Sequence, residues 1–120
     1  MARRECVDAA QWQQWGEACL RRLDFNEDDA RCLASSLAQT SLWGIDSHGI
    51  ARLPHYLNRV VHGSILARPQ IRIEQSGPAT AQVRGGRGHG IVVAHRASQT
   101  AMALAREAGV GAVDVSDSSH

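Results

Sequence analysis

Between Gly44 and Arg52 the chain reads GIDSHGIAR, which places Asp46, Ser47, His48 and Arg52 within a few residues of one another. A histidine that titrates near neutrality can give or take a proton, and an adjacent serine can hydrogen-bond to it. An arginine one turn on offers a planar fork that matches a carboxylate. Together these groups suit a carboxylate-bearing substrate with a reacting carbonyl. The competing reading of the same residues is structural: Ser47 caps a third helix, His48 is a solvated first-turn side chain, and Arg52 pairs with an acid.

Other chemistries fit the sequence less well. Asp46, Ser47 and His48 are neighbours in the chain, and neighbouring side chains do not line up as a hydrolase triad, whose members come from separate parts of a fold. A GxSxG elbow is also missing. His48, His55 and His62 recur every seven residues, but that spacing separates consecutive histidines by about 10 Å along a helix axis, too far to share one zinc. Neither an HExxH nor a paired-cysteine spacing supports a metal, so none is expected. The run GGRGHG, residues 85–90, sits between an expected strand and an expected helix, where backbone N–H groups could cradle a phosphate. A GxGxxG pattern starting at Gly86 would need glycine at Ile91, and Asp114 falls inside an expected strand rather than at its end. A tight glycine turn is the expectation.

The elements that must carry these residues follow from periodicity. Residues 8–23 put Trp12, Trp15, Cys19 and Leu23 at helical spacing, with both tryptophans read as core anchors. Asn26 followed by Glu27, Asp28 and Asp29 gives a cap and an acidic first turn for a second helix, with Ala30, Leu33, Ala34 and Leu37 as its buried stripe and an end near Leu42. A third helix carries Leu53, Leu57, Val60 and Val61 and stops at Gly63; because of Pro54 it should start near Ala51, or kink if it starts at Ser47. From Arg68 the texture changes to alternating apolar and polar residues: two short strands around SGP, then the glycine loop, then a helix with a stripe of Ala94, Ala97, Ala101, Leu104, Ala105 and Ala108. VGAVDVS is a last strand, completing a β-α-β unit. Residues 1–66 are thus mainly helical and residues 67–120 read β-β-α-β.

Composition limits what the chain does. Hydrophobic residues make up 43% and charged residues 21%, a globular balance. Thirteen basic residues, every one an arginine, nearly offset twelve acids. That gives no electrostatic footprint for nucleic acid or an anionic membrane. The absence of lysine removes Schiff-base chemistry, so arginine must handle any anion. Cys6, Cys19 and Cys32 are odd in number, and the last two fall at apolar helical positions, as expected in a reducing compartment. With no apolar leader or spanning stretch in the sequence, a cytoplasmic protein is expected.

The run SLWGIDSHGIARLPHYLNRVVHGSI closely resembles the segment with which the malate/L-lactate dehydrogenase family of NAD(P)-dependent 2-oxoacid reductases opens its active site, sharing SHGxxR and the tyrosine a turn later. The resemblance extends over essentially the whole chain, to a strand running into DSSH. It implies an N-terminal helical layer followed by the start of an α/β/α mixed-sheet domain that is not a Rossmann fold. It implies that His48 is the proton donor to the ketone oxygen, that Ser47 and Arg52 hold substrate, and that His120 is a second active-site acid/base. It further implies NAD or NADP as cofactor, with most cofactor contacts beyond residue 120, and a homodimer at full length. The small-molecule partner is a 2-hydroxy acid and its 2-oxo form, or a relative such as sulfolactate, ureidoglycolate or a diketogulonate. Asp117 departs from the asparagine common in the family, exchanging an amide donor for an acceptor-only carboxylate. On this reading the chain is the N-terminal part of one dehydrogenase domain. The alternative is a catalytically inactive truncated remnant, or a partner-dependent interaction protein whose last strand leaves a sheet edge open.

Overall fold

Asp8 begins the first helix by accepting a hydrogen bond from the Gln11 backbone N–H at 2.9 Å, which satisfies one of the donors that a helix start leaves unpaired. The structure is a computed structural model that describes residues 5–119. It divides into two compact units between Leu57 and Asn58.

In the first unit, α1 (Ala9–Arg22) packs with α2 (Glu27–Leu42). The contact line on α1 is not the expected tryptophan stripe. Gly16 and Leu20 are buried, Trp12 and Leu23 are half-buried, and Trp15 is 55% exposed. A β-carbon at Gly16 would lie 3.5 Å from both Ala34 Cβ and Leu53 Cδ2, so the smallest side chain sits at the closest approach of the helices. That fixes the buried line at positions 12, 16, 20 and 23 and turns Trp15 outward. Cys19 and Cys32 are half-buried, Cys6 is exposed, and all three are free thiols.

α2 follows the sequence pattern closely. Asn26 Oδ1 accepts from the Asp29 N–H at 2.8 Å while its Nδ2 donates to Asp29 Oδ2 at 3.0 Å, and Ala30, Leu33, Ala34, Leu37 and Ala38 are buried. Replacing Asn26 with alanine removes both bonds at once. The expected cost is about 1 kcal/mol, read as a lower urea midpoint at unchanged slope.

After Gly44 (φ +81°) the chain makes two 3₁₀ turns, Asp46–His48 and Ile50–Arg52, before α3 (Leu53–Val61). The regular helix therefore starts two residues later than the sequence suggests. Pro54 is its second residue, where the missing N–H costs nothing because the first turn has no acceptor for it.

The second unit holds a three-stranded mixed sheet in the order β1-β2-β3, formed by β1 (Arg72–Gly77), β2 (Thr80–His89) and β3 (Ala112–Ser119). β1 pairs antiparallel with β2 through the SGP reversal, and β3 pairs parallel with β2 after the crossover helix α4 (Gly90–Ala108). Val83 of β2 packs with Val93 and Ala97 of α4, and Ile71 and Val113 close around them. Along β2, Ala81, Val83 and Gly85 are buried while Gln82 and Arg84 are exposed, the alternation of a sheet covered on one face. On α4 the buried side chains are Val92, Val93, Ala97 and Leu104, whereas Ala94 and Ala108 are exposed, so the small-residue stripe is narrower than expected.

The glycine run is not a loop. β2 continues through it to His89 and leads directly into α4, with a register shift between Arg84 and Gly88. Gly86 has φ +57°, and a β-carbon there would come within 2.6 Å of the Gln70 carbonyl oxygen. Both the backbone angle and the close approach call for glycine. Among the described residues no helix is long and apolar enough to cross a membrane.

Candidate active site

The polar segment is held by α2 through a contact between residues nine apart. Ser41, in the last turn of α2, accepts a hydrogen bond from the Ile50 backbone N–H at 2.9 Å. Gly49 lies directly against it: an added β-carbon would overlap Ser41 Oγ and lie 3.0 Å from the Ser41 backbone nitrogen. The glycine of SHG therefore lets the turn press onto the helix. Ser41 supplies the hydrogen bond that the sequence had offered to Ser47, whose side chain caps neither 3₁₀ turn. No local signal reveals Ser41, because the contact depends on how the chain folds back after Gly44.

Ser47, His48 and Arg52 form one connected group. Ser47 Oγ and His48 Nδ1 are 2.7 Å apart, which leaves Nε2 as the ring nitrogen without a partner among the described residues. Arg52 Nε donates to the Ser47 carbonyl at 2.8 Å, and the Arg52 N–H donates to the Gly49 carbonyl at 3.0 Å. The guanidinium is thereby anchored by its inner nitrogen, and among the described residues its terminal nitrogens are uncommitted. Among the described residues Arg52 makes no ion pair with an acid, contrary to the structural reading of that residue. Ser47 and His48 are exposed and Arg52 is half-buried. Asp46 makes no bond to His48. It lines a separate cavity of about 450 Å³ with Trp12, Ala38, Ser41 and Ile50, so the three adjacent residues do not act as a triad.

Tyr56, the tyrosine of the motif, is buried, and its ring lies 5.8 Å from that of His55 at a tilt of 54°. Among the described residues no three histidine, cysteine or acidic side chains converge as metal ligands. His120 lies outside the described residues. Asp117 has φ +53°, a backbone state that asparagine and aspartate tolerate better than most side chains. That shared tolerance accounts for an exchange between the two at this position without any appeal to chemistry.

A dinucleotide needs backbone N–H groups presented at a loop before a helix. Here β2 passes into α4 without a loop, and the His89 Nδ1 atom, in a side chain only 1% exposed, accepts the Ile91 N–H at 3.1 Å. The β2–α4 junction is therefore not a glycine-loop phosphate cradle of the GxGxxG kind.

The first unit is thus helical and carries the SHGxxR turn, and the second holds a mixed, non-Rossmann sheet. The pattern of the malate/L-lactate dehydrogenase family matches residues 7–120, and the chain belongs to that family. It is 39% identical over 101 residues to a malate dehydrogenase of Pyrococcus abyssi, covering 84% of this chain and 28% of that protein. It is also 39% identical over 101 residues to an L-sulfolactate dehydrogenase of Methanothermobacter thermautotrophicus, covering 84% and 30%. Among solved structures, malate dehydrogenase from Pyrococcus horikoshii superposes with a TM-score of 0.90 at 30% identity, over 100% of this chain and 36% of that one. Sulfolactate dehydrogenase from Methanocaldococcus jannaschii gives 0.92 at 32%, over 95% and 33%. The chain thus spans about a third of the length of these relatives.

Proposed function

We propose that this chain supplies the substrate-side acid and the carboxylate clamp of an oxidoreductase that interconverts a 2-hydroxy acid and its 2-oxo acid. The redox partner is a nicotinamide cofactor, NAD or NADP. The observation that carries this reading is the Ser47–His48–Arg52 group. Ser47 engages the imidazole through Nδ1 and leaves Nε2 as the nitrogen from which the protonated ring can give a proton, and the Ser47 carbonyl fixes Arg52 so that its outer N–H groups present a fork. Reduction of a 2-oxo acid builds negative charge on the ketone oxygen, which must take up one proton, and the adjacent carboxylate needs a bidentate cation. His48 and Arg52 meet these two needs, Ser47 orients both, and His120 serves as a second acid/base. The names of the relatives support malate and sulfolactate as the substrate type, and the family supports a homodimeric, cytoplasmic protein at full length.

The reading is tested in a protein that joins this chain to the remaining two thirds of the Pyrococcus horikoshii malate dehydrogenase. Arg52→Lys in that protein should raise the KM for a 2-oxo dicarboxylate at least tenfold, because a point charge cannot reproduce the fork. The amide analogue of the same substrate, which lacks the carboxylate, should be affected much less. Equal losses for acid and amide would show that Arg52 does not clamp the carboxylate.

A further inference from the structure

The second unit carries a concentration of positive charge whose arginines have no role in the proposed reaction. Arg68, Arg72, Arg84 and Arg87 line an open cavity of about 580 Å³, together with Gln70 and a single acid, Asp117. The sheet register places Arg72 directly opposite Arg84 across the antiparallel β1–β2 pair. Like charges facing one another across strands destabilise a sheet, and among the described residues neither arginine, nor Arg87, is paired with an acid. Acids do stand on β1 and β3, but Glu74 and Asp114 align in another row, on either side of Gln82 of β2. That row is two residues along, roughly 7 Å from the arginine row. The walls of the cavity are tied together by backbone. The Leu66 N–H donates to the Arg87 carbonyl at 2.9 Å, Gly86 is pressed onto Gln70, and Arg87 is held at φ +61°. The two segments that bear the arginines are thereby fixed relative to each other.

We infer that this arginine-lined cavity is a binding site for a small free bis-anion, meaning a molecule with two linked anionic groups, phosphate or carboxylate, and termed a dianion below for its two groups rather than for its exact charge. Guanidinium groups bind both kinds of group through paired N–H donors and keep their charge at any physiological pH. A dianion between Arg72 and Arg84 would also turn the cross-strand repulsion into shared attraction. Asp117 opposes binding and sets a preference for ligands that leave its side of the cavity empty. The inference is independent of the dehydrogenase reading, since it involves neither His48 nor Arg52.

The test uses the 120-residue chain itself, with inorganic pyrophosphate and succinate as probes and sodium chloride at matched ionic strength as the control. Pyrophosphate or succinate should raise Tm saturably, by about 5 °C at roughly ten times Kd. Arg72→Gln and Arg84→Gln should each reduce the dianion-induced rise by more than half. In chloride alone both variants should melt no lower than the parent, because each removes one member of a like-charge pair. That last comparison separates loss of a site from loss of the fold. A Tm that neither dianion moves beyond the chloride control, or a rise that both variants retain in full, would overturn the inference.

Discussion

Replacing His48 with alanine in the joined dehydrogenase is expected to lower kcat by about 10²–10⁴-fold, the usual contribution of a positioned general acid, with nicotinamide affinity unchanged. The reasoning follows from the turn. Nδ1 is taken up by Ser47 at 2.7 Å, so the only imidazole proton available to a ketone oxygen is on Nε2. Alanine leaves the 3₁₀ turn intact, because the bonds that hold it run through the backbones of Gly49 and Ile50 and the carbonyl of Ser47. The effect should therefore appear in turnover with little change in binding, and kcat and kcat/KM should fall together. Steady-state kinetics with a 2-oxo dicarboxylate and direct titration of the cofactor check both halves. Unchanged turnover would remove His48 from the role of acid.

The second large effect is structural. Gly49→Ala is expected to cost about 1–3 kcal/mol, as overpacking of a fixed contact does, measured by urea unfolding of the 120-residue chain. The new methyl group would meet Ser41 at its hydroxyl, its β-carbon and its backbone nitrogen, and the Ile50–Ser41 bond would be lost as the turn moved away. A second variant locates the cause. Ser41→Ala combined with Gly49→Ala removes the hydroxyl but keeps the 3.0 Å approaches to Ser41 Cβ and N, so it should recover only part of the loss. A double variant that costs clearly less than the sum of the two single variants would mark the two positions as coupled. A Gly49→Ala chain as stable as the parent would show that the turn is not pressed onto α2 as described.

How much of this was legible in the sequence depends on the distance over which each feature is decided. The Asn26 cap acts within three residues, and α2 came out with the expected start, end and stripe; the Asp8 cap of α1, equally local, was not read from the sequence. The family and the mixed sheet were legible in SHGxxR and in the alternation of residues 71–84. Features set by distant packing were not. Trp15 fits a helical stripe as well as Gly16 does until Ala34 and Leu53 come to rest against the glycine. The run from Gly85 to Gly90 looks like a loop because its reason for glycine is a backbone some fifteen positions earlier. The helix cap expected from Ser47 does not form, and the Ile50 N–H is instead taken up by Ser41, across a fold in the chain. Residue types singled out Ser47, His48 and Arg52 as candidates, but only the structure shows that Ser47 engages both of the others, its hydroxyl on the imidazole and its carbonyl on the guanidinium.

The central claim is that this chain contributes the substrate end of a 2-hydroxy-acid dehydrogenase. The most direct test is to measure 2-oxo-acid-dependent oxidation of NADH and of NADPH by the joined protein, with the Pyrococcus horikoshii two-thirds alone as the reference. The expected result is turnover of a 2-oxo dicarboxylate with at least one cofactor in the joined protein and none in the reference. A joined protein that folds and binds nicotinamide yet reduces no 2-oxo acid would contradict the claim and favour a non-catalytic, partner-dependent role for this chain.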